Sequence, residues 1–346
     1  MSLPRITSPH AHAALDTGQV MKLVLLALIP GVLTQIYFFG LGTLVQILLA
    51  CGTAIACEAG ILKLRNRPIA FYLKDNSALV TAVLLAIALP AYAPWWITII
   101  GVSFAIIIGK QLYGGLGYNP FNPAMLGYVV LLISFPVQMT AWAIPVETLP
   151  EQQSVPGLLT ALSFIFGFGS AAVDGYTMAT PLDLMKQNSE LMVQDLWLSN
   201  PQFGTLAGRG WESINFWFMI GGLFLLYKRI YTWHAPASML IVLAVWSAIF
   251  YDSGSSTSGG SPIFHWFSGA TMLGAFFILT DPVSSAVSNR GRLIYGALVG
   301  SLLFLIRSWG NYPDAMAFAI LLANFAAPFI DHYTQPRTYG HKPEGS

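Results

Sequence analysis

The chain has 346 residues, of which 55% are apolar and only 9% charged, and its formal net charge is +1. Soluble domains carry about 25% charged residues, so this chain cannot clothe a water-facing surface, and with no basic, aromatic-rich segment it has no nucleic-acid partner. Its apolar runs recur at about the 20-residue length that crosses a hydrocarbon core as helix, which predicts an all-α polytopic protein surrounded by membrane lipid.

Residues 1–19 are polar, with Pro4, Pro9 and His10 and no apolar stretch, so no cleaved signal peptide is expected. Ten transmembrane helices are then predicted near 20–39, 41–62, 77–93, 94–113, 123–143, 212–230, 235–251, 266–281, 291–308 and 313–331. Pro30, Pro90, Pro136 and Pro282 interrupt several of them, because a proline inside a span removes a helix hydrogen bond and calls for a kink beside other helices. Cys51 and Cys57 share the second span but lie six residues apart, on different helix faces, which predicts neither a disulfide nor a metal pair.

With both termini cytoplasmic, thirteen Lys and Arg residues, from Arg5 and Lys22 to Arg337 and Lys342, fall on the inside, and Lys186, Arg209 and Arg307 outside. That asymmetry sets the orientation. It divides the chain into a membrane half of five helices (1–143), a long periplasmic loop (144–211), a second membrane half of five helices (212–331) and a cytoplasmic tail (332–346). The two halves also resemble each other. An apolar run ends in Pro90 or Pro282, and 29 residues later Asn119 or Asn311 opens a proline turn leading to Ala124-Met125 or Ala315-Met316. Five spans per half, separated by a translocated loop, predict two inverted repeats.

Ionisable groups are costly in lipid unless paired or hydrated, which singles out Glu58 in the second span, Lys110 in the fourth and Asp281 in the eighth. Lys110 reads as a snorkelling interface residue. Asp281 reads either as a turn residue before proline or as part of a cofactor or ion site. In Asn119-Pro120-Phe121-Asn122-Pro123, two prolines block helix and free polar groups to meet a ligand; a plain tight turn is the other reading.

The loop carries Asp174-Gly175-Tyr176-Thr177-Met178-Ala179-Thr180-Pro181-Leu182, hydroxyls set among small and turn-forming residues. Ser268-Gly269-Ala270-Thr271 has a related form but opens an apolar span. Accessibility selects Thr180: Ala179 leaves room beside it, Pro181 keeps the preceding backbone extended, and the Gly and Pro punctuation predicts a flexible loop in water. This segment resembles the flavinylation motif of the RnfD/NqrB family of redox-driven ion pumps. The likeness extends along most of the chain through Arg67-Pro68, the 119–123 turn, Thr280-Asp281-Pro282-Val283-Ser284 and the basic tail, and the short N-terminal region resembles the RnfD branch.

The resemblance implies a subunit of a bacterial inner-membrane complex with RnfA, RnfB, RnfC, RnfE and RnfG partners. Such a complex moves electrons between ferredoxin and NAD and couples this to Na⁺ or H⁺ translocation. It implies FMN held at Thr180 by a phosphoester that a flavin transferase installs, with Asp174, Gly175, Thr177, Ala179 and Pro181 as motif residues. It also implies a second, noncovalent flavin, riboflavin, in the helix bundle; Asn119, Asn122 and Asp281 are the candidates for that site or for an ion path. The competing reading is a flavin-free channel or secondary transporter with inverted repeats.

Overall fold

The computed structural model describes residues 15–151, 153–168, 173–256, 258–312 and 314–335. Arg5, Arg337, Lys342 and the tail beyond Gln335 lie outside them. Helix dominates, as it must where lipid offers the backbone no hydrogen-bond partner. In chain order the helices are α1 (Thr17–Phe39), α2 (Gly42–Leu64), α3 (Ile69–Leu73), α4 (Ser77–Ala88), α5 (Trp95–Ser103), α6 (Pro123–Ser134), α7 (Pro136–Thr140), α8 (Leu158–Phe166), α9 (Pro181–Gln187), α10 (Val193–Ser199), α11 (Trp211–Tyr227), α12 (His234–Ile249), α13 (Pro262–Phe267), α14 (Thr271–Leu273), α15 (Asn289–Trp309) and α16 (Met316–Tyr333). Among the described residues α1, α2, α15 and α16 are long and apolar enough to cross a membrane.

All ten apolar segments contain helix, but their interiors differ from the simple expectation. Pro30 does not break α1, which runs through it. Pro90 does end α4: Leu89 is already extended because the residue before a proline avoids helical geometry. The fourth segment continues from α5 into a π-helix, Phe104–Gln111. The fifth divides at Phe135, where Pro136 opens α7. The eighth breaks between α13 and α14, with Gly269 at φ +57, and runs on as a second π-helix, Gly274–Ile278.

Two helix pairs, α1 with α11 and α6 with α16, lie against each other and run in opposite directions. Along α1 and α11, Ala27 meets Gly221, Gly31 meets Phe218 and Phe38 meets Gly210, so one sequence rises as the other falls. A Cβ on Gly221 would collide with the Ala27 carbonyl; glycine permits this close crossing. Between α6 and α16, the Asn122 amide donates to Asn324 Oδ1 at 3.1 Å, and Phe121 packs edge-on to Phe325 with ring centroids 4.6 Å apart. Farther along α6, Tyr128 shares a cavity wall with Asp314 and Met316.

The described residues of 144–211 form short elements and a small core, where the sequence predicts a flexible loop. β1 (Trp142–Ala143) and β2 (Thr177–Met178) pair antiparallel, Trp142 opposite Met178 and Ala143 opposite Thr177. Leu182, Met185, Val193, Leu196, Phe203 and Ala207 form a small apolar core with Phe264 of α13. The polar motif is thereby fastened to the end of the bundle.

Candidate functional site

The motif descends through a 3₁₀ turn, Val173–Tyr176, that holds Asp174 and Gly175 exposed, then through β2 with Thr177 half-buried, to an exposed Ala179. Thr180 is the N-cap of α9, with φ −75 and ψ 160, extended as its position before Pro181 requires. Its amide donates to Asp183 Oδ2 at 2.9 Å, its Oγ1 donates to the same oxygen at 2.6 Å, and the Asp183 amide donates back to Oγ1 at 3.2 Å. Reciprocal bonding of this kind closes a helix start. Thr180 is half-buried beside a small cavity of about 50 Å³ walled by Tyr128, Trp142, Trp211, Tyr312 and Asp314. Trp142 and Trp211 meet edge to face there at 4.9 Å.

Thr271 is different in kind. It is fully buried, its hydroxyl donates to the carbonyls of His265 and Ser268 at 2.7 and 2.9 Å, and it accepts from Arg307 Nη2 at 2.9 Å. Arg307 also donates to both of those carbonyls and to Asp314 Oδ1 at 3.3 Å. Buried in the last turn of α15, it braces the break between α13 and α14. It is therefore not a loop cation, and it drops out of the orientation argument. Lys186, in the last turn of α9, donates to the Ile306 carbonyl at 3.3 Å; burial pushes its ammonium below the usual lysine range while Asp183 pulls it back up.

At the opposite end of the bundle, Asn119, Asn122 and Asp281 come together on one cavity of about 290 Å³ between the halves. Asn122 Nδ2 donates to Asp281 Oδ2 at 3.2 Å, and Ser284 Oγ donates to the same oxygen at 2.9 Å. Asn122 also caps α6 through Met125. Asn324 ties this cluster to the Tyr295 hydroxyl and the Ser284 carbonyl. Asn119 is buried with its Oδ1 lacking a partner among the described residues, which is the signature of a missing polar contact. Phe276, Phe277, Val80 and Leu84 supply apolar walls.

Lys110 lines the same cavity but does not snorkel. Its ammonium is buried, 2.6 Å from Glu58 Oε1 and 2.7 Å from Ser77 Oγ, and Gln111 donates to Glu58 Oε1 at 2.8 Å. A snorkelling lysine reaches for water, and this one is held inward by a carboxylate on α2. The pairing joins residues 52 positions apart, so no local pattern announces it. The role of Asp183, in contrast, was readable: Thr-x-x-Asp before an apolar run has the spacing of a capping box.

The residues present fit both flavins that the sequence resemblance implies. Thr180 is half-buried beside an exposed Ala179, at the edge of an aromatic-walled cavity. The larger cavity combines flat apolar walls with an orphaned amide oxygen, and its volume lies near the lower edge of the roughly 300–1,000 Å³ of ligand pockets.

A family model described as NQR2, RnfD, RnfE matches residues 5–340. The chain belongs to that family. Curated relatives whose names make them subunits of an ion-translocating oxidoreductase complex match over nearly their whole length. The Cellvibrio japonicus protein is 57% identical over 99% of this chain and 96% of its own length, and that of Ectopseudomonas mendocina is 57% identical over 100% and 98%. The Aliivibrio salmonicida protein is 56% identical over 97% and 98%. With four helices of membrane-crossing length and apolarity, this family member is a multi-pass helical membrane protein.

Proposed function

We propose that the chain is the membrane flavoprotein subunit of an ion-translocating ferredoxin:NAD oxidoreductase complex, with FMN joined to Thr180 as a phosphoester. One observation carries the choice of residue: Thr180 is only half-buried at the bundle end and its hydroxyl bonds Asp183 alone, whereas Thr271 is fully buried and its hydroxyl is used by three partners. The names of the full-length relatives support the complex. Bound FMN would supply one-electron transfer; the protein supplies tether and environment. Trp142 and Trp211 would exclude water on the inner side of the tether, and β1–β2 pairing would hold the motif against the bundle.

Asn119, Asn122 and Asp281 would hold the second, noncovalent flavin, riboflavin, with the orphaned Asn119 oxygen accepting one of its N–H or O–H groups. Lys110 and Glu58 bring the nearest buried charge pair to that cavity and, with Asp281, are the candidates for Na⁺ or H⁺ coupling.

Ten spans in the bacterial inner membrane, with both termini cytoplasmic and 144–211 periplasmic, form part of the same reading. So do the halves 1–143 and 212–331 as inverted repeats and 332–346 as a cytoplasmic tail. The Lys/Arg asymmetry supports the orientation and survives removal of the buried Lys110 and Arg307. The antiparallel pairing of α1 with α11 and of α6 with α16 supports the inversion. RnfA, RnfB, RnfC, RnfE and RnfG would be the partners, and a flavin transferase would mature the subunit.

Expression with the transferase tests the central claim. A fluorescent band should survive denaturation, and the peptide containing Thr180 should be heavier by one FMN less water. Thr180→Val should abolish the band and Thr271→Val should keep it. A modified peptide mapping to Thr177 or Thr271 would show the wrong residue, and a wild-type chain without any band would favour the flavin-free transporter.

A further inference from the structure

A capping box needs two bonds, the N-cap side chain accepting from the amide three residues on and that residue's side chain accepting from the N-cap amide. Thr180 and Asp183 make both and add a third, in which Oγ1–H points at Asp183 Oδ2 across 2.6 Å. The third bond does nothing for the orphaned helix amides. It does decide where the hydroxyl proton lies. A hydroxyl oxygen has two lone pairs; one accepts from the Asp183 amide, so one remains for a new bond, with its proton already directed to a carboxylate.

We propose that Asp183 is the general base that receives the Thr180 proton when the phosphoester forms. The inference rests on Thr180 being the flavin carrier. In the balanced step, Oγ1 attacks the phosphorus of the FMN half of FAD, which the transferase presents with its divalent cation. The Oγ1–P bond forms, the pyrophosphate P–O bond breaks, AMP leaves with the bonding pair, and the proton passes to Asp183 and then to water. Nothing is oxidised or reduced. Asp183 is half-buried, so its carboxylate both touches the reacting oxygen and communicates with solvent. The titratable groups around it are Lys186 on α9, Arg209 from the loop, Tyr128 on α6, and Tyr312 and Asp314 before α16.

The test uses the full chain in membranes, purified transferase and FAD, and follows the initial rate of covalent flavin fluorescence against pH. Asp183→Asn keeps an acceptor for the Thr180 amide and so keeps the helix start. It should label about 100-fold or more slowly, the usual contribution of a positioned base, and should lose the fall in rate toward acid that the wild type shows. Asp183→Glu should recover both. The acid limb decides: its persistence in Asp183→Asn, or a wild-type rate flat toward acid, overturns the proposal whatever the absolute rates. Labelling of Thr180→Val would instead sink the assignment of the carrier residue, so the two failures are told apart.

Discussion

At the scale of single residues, the strongest commitments are the buried polar ones. Lys110 and Glu58 sit inside an apolar bundle as an ion pair 2.6 Å apart, and removing one partner leaves an uncompensated charge. Lys110→Met should destabilise the protein by about 3–5 kcal/mol. Replacing both residues with Met should cost less, because no charge is then stranded. Thermal unfolding of the detergent-solubilised protein checks this; a double variant no more stable than Lys110→Met would mean that charge compensation is not what the pair supplies. The Thr180 and Thr271 substitutions contrast in the same way. Thr180→Val removes the N-cap of α9 and should cost about 1 kcal/mol, while Thr271→Val strips the buried Arg307 Nη2 of a partner, so it should lower the melting temperature further while leaving flavin attachment intact.

Among elements, the crossing of α1 and α11 depends on glycine. Gly221→Leu forces a side chain into the Ala27 backbone, and overpacking of this kind costs about 1–3 kcal/mol or more. Gly52→Leu on α2 enters open space and should leave stability nearly unchanged. Comparing the two melting temperatures and the yield of monodisperse protein tests the crossing; because Gly→Leu raises helix propensity at both sites, equal changes would show that contact with the Ala27 backbone does not govern the cost. Proline effects at this scale depended on surroundings. Pro90 and Pro136 end helices as local rules require, while Pro30 rides inside α1, where Thr34 Oγ1 donates to the Pro30 carbonyl at 2.8 Å.

For the whole molecule, the paired helices place Asn119, Asn122 and Asp281 at one end and Thr180, Trp142 and Asp314 at the other. Membrane sidedness can be read directly. In a background without Cys51 and Cys57, a cysteine at Gln187 should react with an impermeant reagent from the periplasmic side, and one at Gln335 only after the cytoplasmic face is opened. Both positions are exposed. The reverse pattern would invert the topology, and labelling of both from one side would break the ten-span arrangement. If the arrangement holds, Thr180 and the cavity lined by Asn119, Asn122 and Asp281 stand at opposite ends of the bundle, and the subunit spans the distance between them.

The sequence by itself determined the helical membrane class and the positions of the ten apolar segments, and it singled out Thr180 as a candidate, because length, hydropathy, proline geometry and hydroxyl spacing are properties of contiguous residues. It also held the Thr180-x-x-Asp183 spacing, though not the direction of the hydroxyl proton. Tertiary structure alone decided that Lys110 turns inward to Glu58, that Arg307 braces a broken helix rather than a loop, and that Leu182 to Ala207 pack their apolar side chains onto Phe264. It also brought Asn119 and Asn122 across the bundle to Asp281. Each of these joins groups far apart in the chain, and in a membrane every apolar helix face is equally content with lipid. Which faces meet is settled by a few close crossings and buried polar bonds that only the packed bundle creates.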